Sequence, residues 1–128
     1  MKLAVVGSRD FNDYGMAEEA ISKLVLKNSI TALVSGGAGG ADQMAERYAR
    51  EHVIPITVFE PDWALQKRGA GHRRNEKIVS AADMVLAFWD GKSRGTKHTL
   101  DLACKLGKDV RIEVFEHKGN CQQKVEQC

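Results

Sequence analysis

The residues best equipped for chemistry are glycines and the polar side chains beside them. Twelve glycines stand in 128 residues, against two prolines. Ser35–Asp42 reads SGGAGGAD and Asp90–Thr96 reads DGKSRGT. Glycine adopts positive φ and lets a backbone approach a ligand closely. A helix that starts just after such a loop offers unpaired N–H groups and a positive dipole end, and both attract phosphate. Ser35–Asp42 therefore suits a phosphate, with Ser35, Gly36, Gly37 and Gly39 lending the close approach. It equally suits a plain tight turn in which Asp42 stabilises the first helical turn. In the second loop Ser93 and Thr96 offer hydroxyls, Gly95 and Thr96 offer backbone donors, and Lys92 and Arg94 add charge, which suits a phosphate or diphosphate; the loop equally reads as a solvated connection with Thr96 as helix cap. A third short loop, Gly7-Ser8-Arg9-Asp10, does not match G-x-G-x-x-G, and neither long loop matches G-x-x-x-x-G-K-[ST]. These mismatches argue against an NAD redox site and a Walker-type triphosphate site.

Lys67–Lys77 (KRGAGHRRNEK) gathers six basic side chains, counting His72, against one Glu. On a helix Arg73 shares a face with Lys77, and Arg74 shares one with Ile78. Arg74 is thus the candidate to face a ligand, with Asn75 able to cap or to read a base edge. The whole run also reads as a solvated basic face. Asp62, Trp63 and Trp89 follow strands, and the two rings could stack a base or close the core. His52, His72, His98 and His117 show no metal spacing, so no metal and no cofactor is assigned. Cys104 reads as core, while Cys121 and Cys128 lie in a polar tail read as frayed. Three cysteines with no C-x-x-C fit a reducing compartment.

The elements that must position these residues follow from periodicity. Leu3–Val6, Ile30–Val34, Ile54–Phe59, Met84–Phe88 and Val110–Val114 read as strands. Helical stripes run through Ala17–Val25, Ala41–Ala49, about Ala70–Ala81, and Leu100–Cys104, the last closed by Gly107 as a C′ glycine. Near-continuous apolar strands alternating with helices predict an α/β, Rossmann-like three-layer domain with a five-stranded parallel sheet in the order 3-2-1-4-5. The charged alternation of Val110–Val114 reads as an edge strand. Residues 1–115 form the domain and 116–128 the tail. In such a sheet ligands bind beyond the carboxyl ends of the strands. Nine of the twelve glycines (Gly7, Gly36, Gly37, Gly39, Gly40, Gly69, Gly71, Gly91 and Gly95) collect there.

Composition is that of a globular domain, 43% hydrophobic and 28% charged. No apolar run approaches the roughly 18 residues of a membrane span, and the amino-terminal apolar run is too short for a secretory signal. The chain is read as cytoplasmic and without a membrane partner. A net charge of +2 gives no support to a nucleic-acid partner.

VVGSRDF (Val5–Phe11), LVSGGAGGADQMAERYA (Leu33–Ala49), Asp62-Trp63, AGHRRN (Ala70–Asn75) and AADMVLAFWDGKSRGT (Ala81–Thr96) resemble the YspA-like branch of the SLOG superfamily. The resemblance runs from about residue 3 to 114, in order. It implies a Rossmann-like domain that binds a nucleotide or nucleotide-derived ligand, often as a signal sensor, and that forms a homodimer. The ligand-binding set is then Gly7, Ser8, Arg9, Ser35, Gly36, Gly37, Gly39, Asp42, Asp62, Trp63, Arg74, Asn75, Asp90, Gly91, Ser93, Gly95 and Thr96, with no catalytic residue assigned. The chain is also similar to the Lonely Guy-type phosphoribohydrolases, which place an Arg before the fourth strand and P-G-G-x-G-T-x-x-E after it. Arg74 matches the Arg and Gly95-Thr96 the G-T. Asp90-Gly91-Lys92 replaces P-G-G, and Thr99 stands where that family's acid–base Glu would be. An N-glycosidase acting on nucleoside monophosphates is accordingly the alternative expectation. A third is single-stranded DNA binding, implied by a likeness of Gly39–Asp42 and Arg74-Asn75 to the DprA/Smf proteins.

Overall fold

The computed structural model describes residues 1–37, 39–60, 70–115 and 125–127. Asp62, Trp63, Lys67, Arg68, Gly69, His117, Cys121 and Cys128 lie outside them.

β1 (Lys2–Gly7), β2 (Ala32–Ser35), β3 (Ile56–Val58), β4 (Met84–Trp89) and β5 (Asp109–Val114) are parallel, and β6 (Val125–Gln127) runs antiparallel to β5. Their order in the sheet is β3-β2-β1-β4-β5-β6. The parallel part is the expected 3-2-1-4-5 arrangement. Four helices connect the strands among the described residues: α1 (Tyr14–Lys27), α2 (Ala41–Glu51), α3 (Ala70–Ala81) and α4 (Arg94–Lys105).

Alternation along the strands divides the core into two layers. Leu3 and Val5 of β1 and Met84, Leu86 and Phe88 of β4 face α1 and α2, meeting Ala17, Ile21, Ala45 and Tyr48. Ala4, Val6, Val85 and Ala87 face α3 and α4, meeting Ile78, Val79, Leu100 and Ala103. Period-two strands covered on both faces by helices leave little room for polar residues, which is why these strands read as apolar runs. Side-chain caps set two helix starts. Asp13 accepts from Met16 N at 3.0 Å, and Ser93 heads α4 by accepting from Thr96 N. Thr96, expected as that cap, lies three residues inside the helix. Gly107 has φ +71° just past the end of α4.

Two further expectations change. Cys104 is exposed and engaged in a disulfide rather than buried in the core, because the buried stripe of α4 ends at Ala103. The second concerns β5, which is not an edge strand, since β6 pairs with it and draws Val125–Gln127 of the polar tail into the sheet. The charged alternation of β5 has another cause: Val110 and Ile112 pack toward α3 and α4, while Arg111 and Glu113 line a pocket beside α1. No helix among the described residues is long and apolar enough to cross a membrane.

Candidate functional site

β1 and β4 run in register from Leu3↔Met84 to Gly7↔Phe88. Their chains then separate in opposite directions, since β1 leads to helices on one face and β4 to a helix on the other. A parting of this kind opens a crevice at the carboxyl edge. Here it is a cavity of about 410 Å³, within the roughly 300–1,000 Å³ range of small-molecule sites.

Its floor is tied across the two strands. Ser8 N donates to Phe88 O at 3.0 Å, and Asp90 N donates to Ser8 Oγ at 3.2 Å. Phe11 stacks on Phe88 at 4.6 Å between ring centroids and meets Phe115 edge-on at 4.8 Å, which anchors the loop after β1 in the core. Gly7 is needed for closeness alone: a Cβ there would lie 2.7 Å from the Ala41 Cβ and inside the Phe88 carbonyl.

The loop after β4 is closed by its own side chains. Asp90 Oδ1 accepts from Lys92 N and Ser93 N, each at 2.8 Å. Trp89 packs against the α3–α4 core and donates Nε1–H to Ser93 O at 3.1 Å, so it both closes the core and braces the loop. Ser93 Oγ accepts from Thr96 N and Thr96 Oγ1, and Thr99 Oγ1 donates to Gly95 O. Ser8 and Ser93 therefore use their oxygens as acceptors inside the protein. Each hydroxyl keeps its proton as a donor.

Arg74 enters from α3 with Ile78 one turn behind it, buried in the core. Its Nη1 donates to Gly36 O at 2.6 Å and its Nε to Asn75 Oδ1 at 2.9 Å. A Cβ on Gly36 would lie 3.1 Å from both Arg74 Cζ and Asp42 Oδ2, so the guanidinium and that carboxylate meet at this glycine. Burial pushes the Arg74 pKa down, opposed by the charge of Asp42 and assisted by that of Arg9. A guanidinium stays charged under such a shift.

Ten of the seventeen expected residues line this one cavity: Gly7, Ser8, Arg9, Asp42, Arg74, Asn75, Asp90, Ser93, Gly95 and Thr96. Ser35 and Gly36 are not on its lining: Ser35 is buried and Gly36 holds Arg74 through its carbonyl. Gly37 turns away, toward Val58 and Glu60. Gly39 borders the Arg9 carbonyl, and Gly91 faces open space. Asp62 and Trp63 lie outside the described residues. The Ser35–Asp42 loop thus contributes the Asp42 carboxylate and a glycine seat for Arg74, while its described glycines stay off the lining. Val6, Asp10, Ile78 and Thr99 also line the cavity and were not among the expected residues. Helical spacing carried a signal for two of them, Ile78 four residues after Arg74 and Thr99 three after Thr96.

A doubly wound sheet with its cleft at the β1/β4 switch defines a Rossmann-like protein. The chain belongs to the YAcAr family, described as the YspA, cpYpsA-related SLOG family, whose profile matches residues 1–65. It is similar to the Gene 61 protein of Mycobacterium phage D29, with 34% identity over 116 residues, covering 85% of this chain and 93% of the relative. A solved structure of DNA processing protein A from Helicobacter pylori, reported for its single-stranded DNA binding mode, superposes with a TM-score of 0.62 at 22% identity. That match covers 88% of this chain and 64% of the other, so this chain spans under two thirds of that neighbour.

Proposed function

We propose that the cleft binds a nucleotide-derived small molecule, with its phosphate at the head of α4. The carrying observation is a pair of hydroxyls, Ser8 and Ser93, whose oxygens accept N–H bonds and whose protons are left to donate into a cavity that Arg9 and Arg74 also line. Donors and positive charge suit phosphate, and the first turn of α4 adds its dipole. Asp10 and Asp42 on the same lining supply acceptors, which ribose hydroxyls and base N–H groups require and a bare phosphate does not. The presence of both donors and acceptors on one lining favours a nucleoside phosphate over a simple anion. Binding without cleavage is the reading favoured here, because Thr99 lines the cavity where the phosphoribohydrolases have their acid–base Glu.

Isothermal calorimetry with AMP, ADP and ADP-ribose tests this. Binding is expected for at least one of them, weakened tenfold or more in Ser93→Ala. A folded protein that binds none of the three overturns the proposal, and release of free adenine would move the reading to hydrolysis.

A second reading, single-stranded DNA binding, is favoured by the fold likeness to DNA processing protein A and by exposed Arg73 and Lys77 on α3, the helix that carries Arg74. It predicts affinity for a labelled oligonucleotide that falls steeply with salt. No binding at low salt removes it.

A further inference from the structure

We infer that His98, which is not among the lining residues, positions Arg74 through Asn75. The inference rests on the proposal that Arg74 faces the ligand, but its first test does not. Asn75 is buried at 6% exposure. It stands between two partners, with Arg74 Nε at 2.9 Å from its Oδ1 and His98 Nδ1 at 3.2 Å from its Nδ2. Chemistry fixes every direction in this chain. Arg Nε carries a hydrogen and cannot accept, so the Asn75 oxygen must face it. The Asn75 amino group is then turned to His98 and can only donate, so His98 Nδ1 must be the unprotonated acceptor. Neutral His98 consequently carries its hydrogen on Nε2.

The consequence reaches the cleft. Gly36 O holds one end of the guanidinium, and Asp42 supplies charge beside it. Among the described residues only Asn75 holds Nε, and so sets how the plane is rotated about that first contact. If the acceptor at residue 98 is lost, the buried Asn75 amide loses the bond that orients it. Among the described contacts the amide is then left with its Oδ1 bond to Arg74 Nε alone, and the two side chains can rock together. Arg74 would swing about the Gly36 contact. Supporting groups of this kind commonly decide whether a binding side chain is aimed or loose.

Two variants separate aim from packing. His98→Leu removes the acceptor, whereas His98→Asn puts a side-chain oxygen close to where Nδ1 stands. The first measurement uses ligand-free protein: the Arg74 Nε–H resonance in proton–nitrogen NMR, with its rate of exchange with water. Wild type and His98→Asn are expected to show a protected Nε–H, and His98→Leu a shifted resonance exchanging at least tenfold faster. Unchanged Arg74 protection in a folded His98→Leu variant overturns the inference, whatever the ligand. The second measurement is AMP affinity, expected to fall about tenfold in His98→Leu and to recover in His98→Asn. AMP affinity equal to wild type in His98→Leu overturns it as well. Failure of wild type to bind any nucleotide, with the NMR coupling present, refutes the ligand proposal and leaves the positioning role standing.

Discussion

Replacing Gly40 with alanine tests the packing that shapes the cleft. Gly40 precedes α2 with φ +66° and ψ −123°, a region that residues with a Cβ scarcely enter. A Cβ there would lie 2.5 Å from the Arg9 carbonyl oxygen, 2.6 Å from its carbon, and closer still to the Ser8 oxygen. These are backbone atoms of the loop that lines the cavity, and Ser8 O also accepts the Phe11 and Ala41 N–H groups, so they cannot yield by a side-chain rotation. The backbone conformation alone costs about 1–3 kcal/mol, and forcing atoms into a packed site costs about 1–3 kcal/mol more. We expect a loss of about 4 kcal/mol, a large part of the roughly 5–15 kcal/mol that holds a domain of this size. In urea, with a slope of about 2 kcal/mol per molar, the unfolding midpoint should fall by about 2 M. Gly95→Ala is the control. A Cβ on Gly95, in the first turn of α4, meets nothing within 4 Å, so helix propensity should leave stability unchanged or raise it by up to about 1 kcal/mol. A Gly40→Ala protein that loses less than about 1 kcal/mol, the level of an ordinary substitution, would refute the steric reasoning.

Three further outcomes follow from features away from the cleft. Val53 has φ +53° and is 89% exposed. Val53→Asn should raise stability by about 0.5–1 kcal/mol in the same urea assay, because a β-branched side chain is costly in that conformation and Asn tolerates it. Glu113 is half-buried with an unpartnered Oε2, and burial raises its pKa. The folded state therefore holds that proton to higher pH than the unfolded chain does, and stability drains away as pH rises through the folded pKa. Glu113→Gln should be more stable than wild type at pH 7, by less than about 1 kcal/mol given the solvent screening, and no more stable at pH 3.5; a pH-independent difference would contradict the burial argument. The Tyr14 pKa is pushed up to about 12, first by burial and then by the hydrogen bond it donates to Glu51 at 3.0 Å. In Glu51→Gln the phenolate absorbance of Tyr14 should appear at lower pH than in wild type.

Much of the fold is legible along the chain because each strand is covered on both faces. A run such as Met84–Trp89 must then be apolar throughout, and helices must fall between such runs. The strand order follows from handedness once the alternation is clear. Boundaries were less legible. α4 begins at Arg94, before both the apolar stripe that starts at Leu100 and the cap read at Thr96, since the Ser93 cap and the polar first turn carry no apolar stripe. β6 has three residues in a polar tail, and only pairing with β5 makes them a strand.

For the site, the sequence determined which residues follow the strands, because a parallel sheet sends every such loop to one edge. It also distinguished Arg74 from Arg73, since helical spacing ties Arg74 to the buried Ile78. Tertiary structure alone decided how those residues are used. Gly36 and Gly37 are neighbours of identical type, yet one carbonyl holds Arg74 and the other residue turns to Glu60. His98 carries no local signal, and its part depends on α3 and α4 packing so that Asn75 lies within 3.2 Å of its ring. Spacing along a chain encodes which face a residue occupies. Hydrogen-bond partners depend on distances between elements, which the sheet and its two helical layers set together.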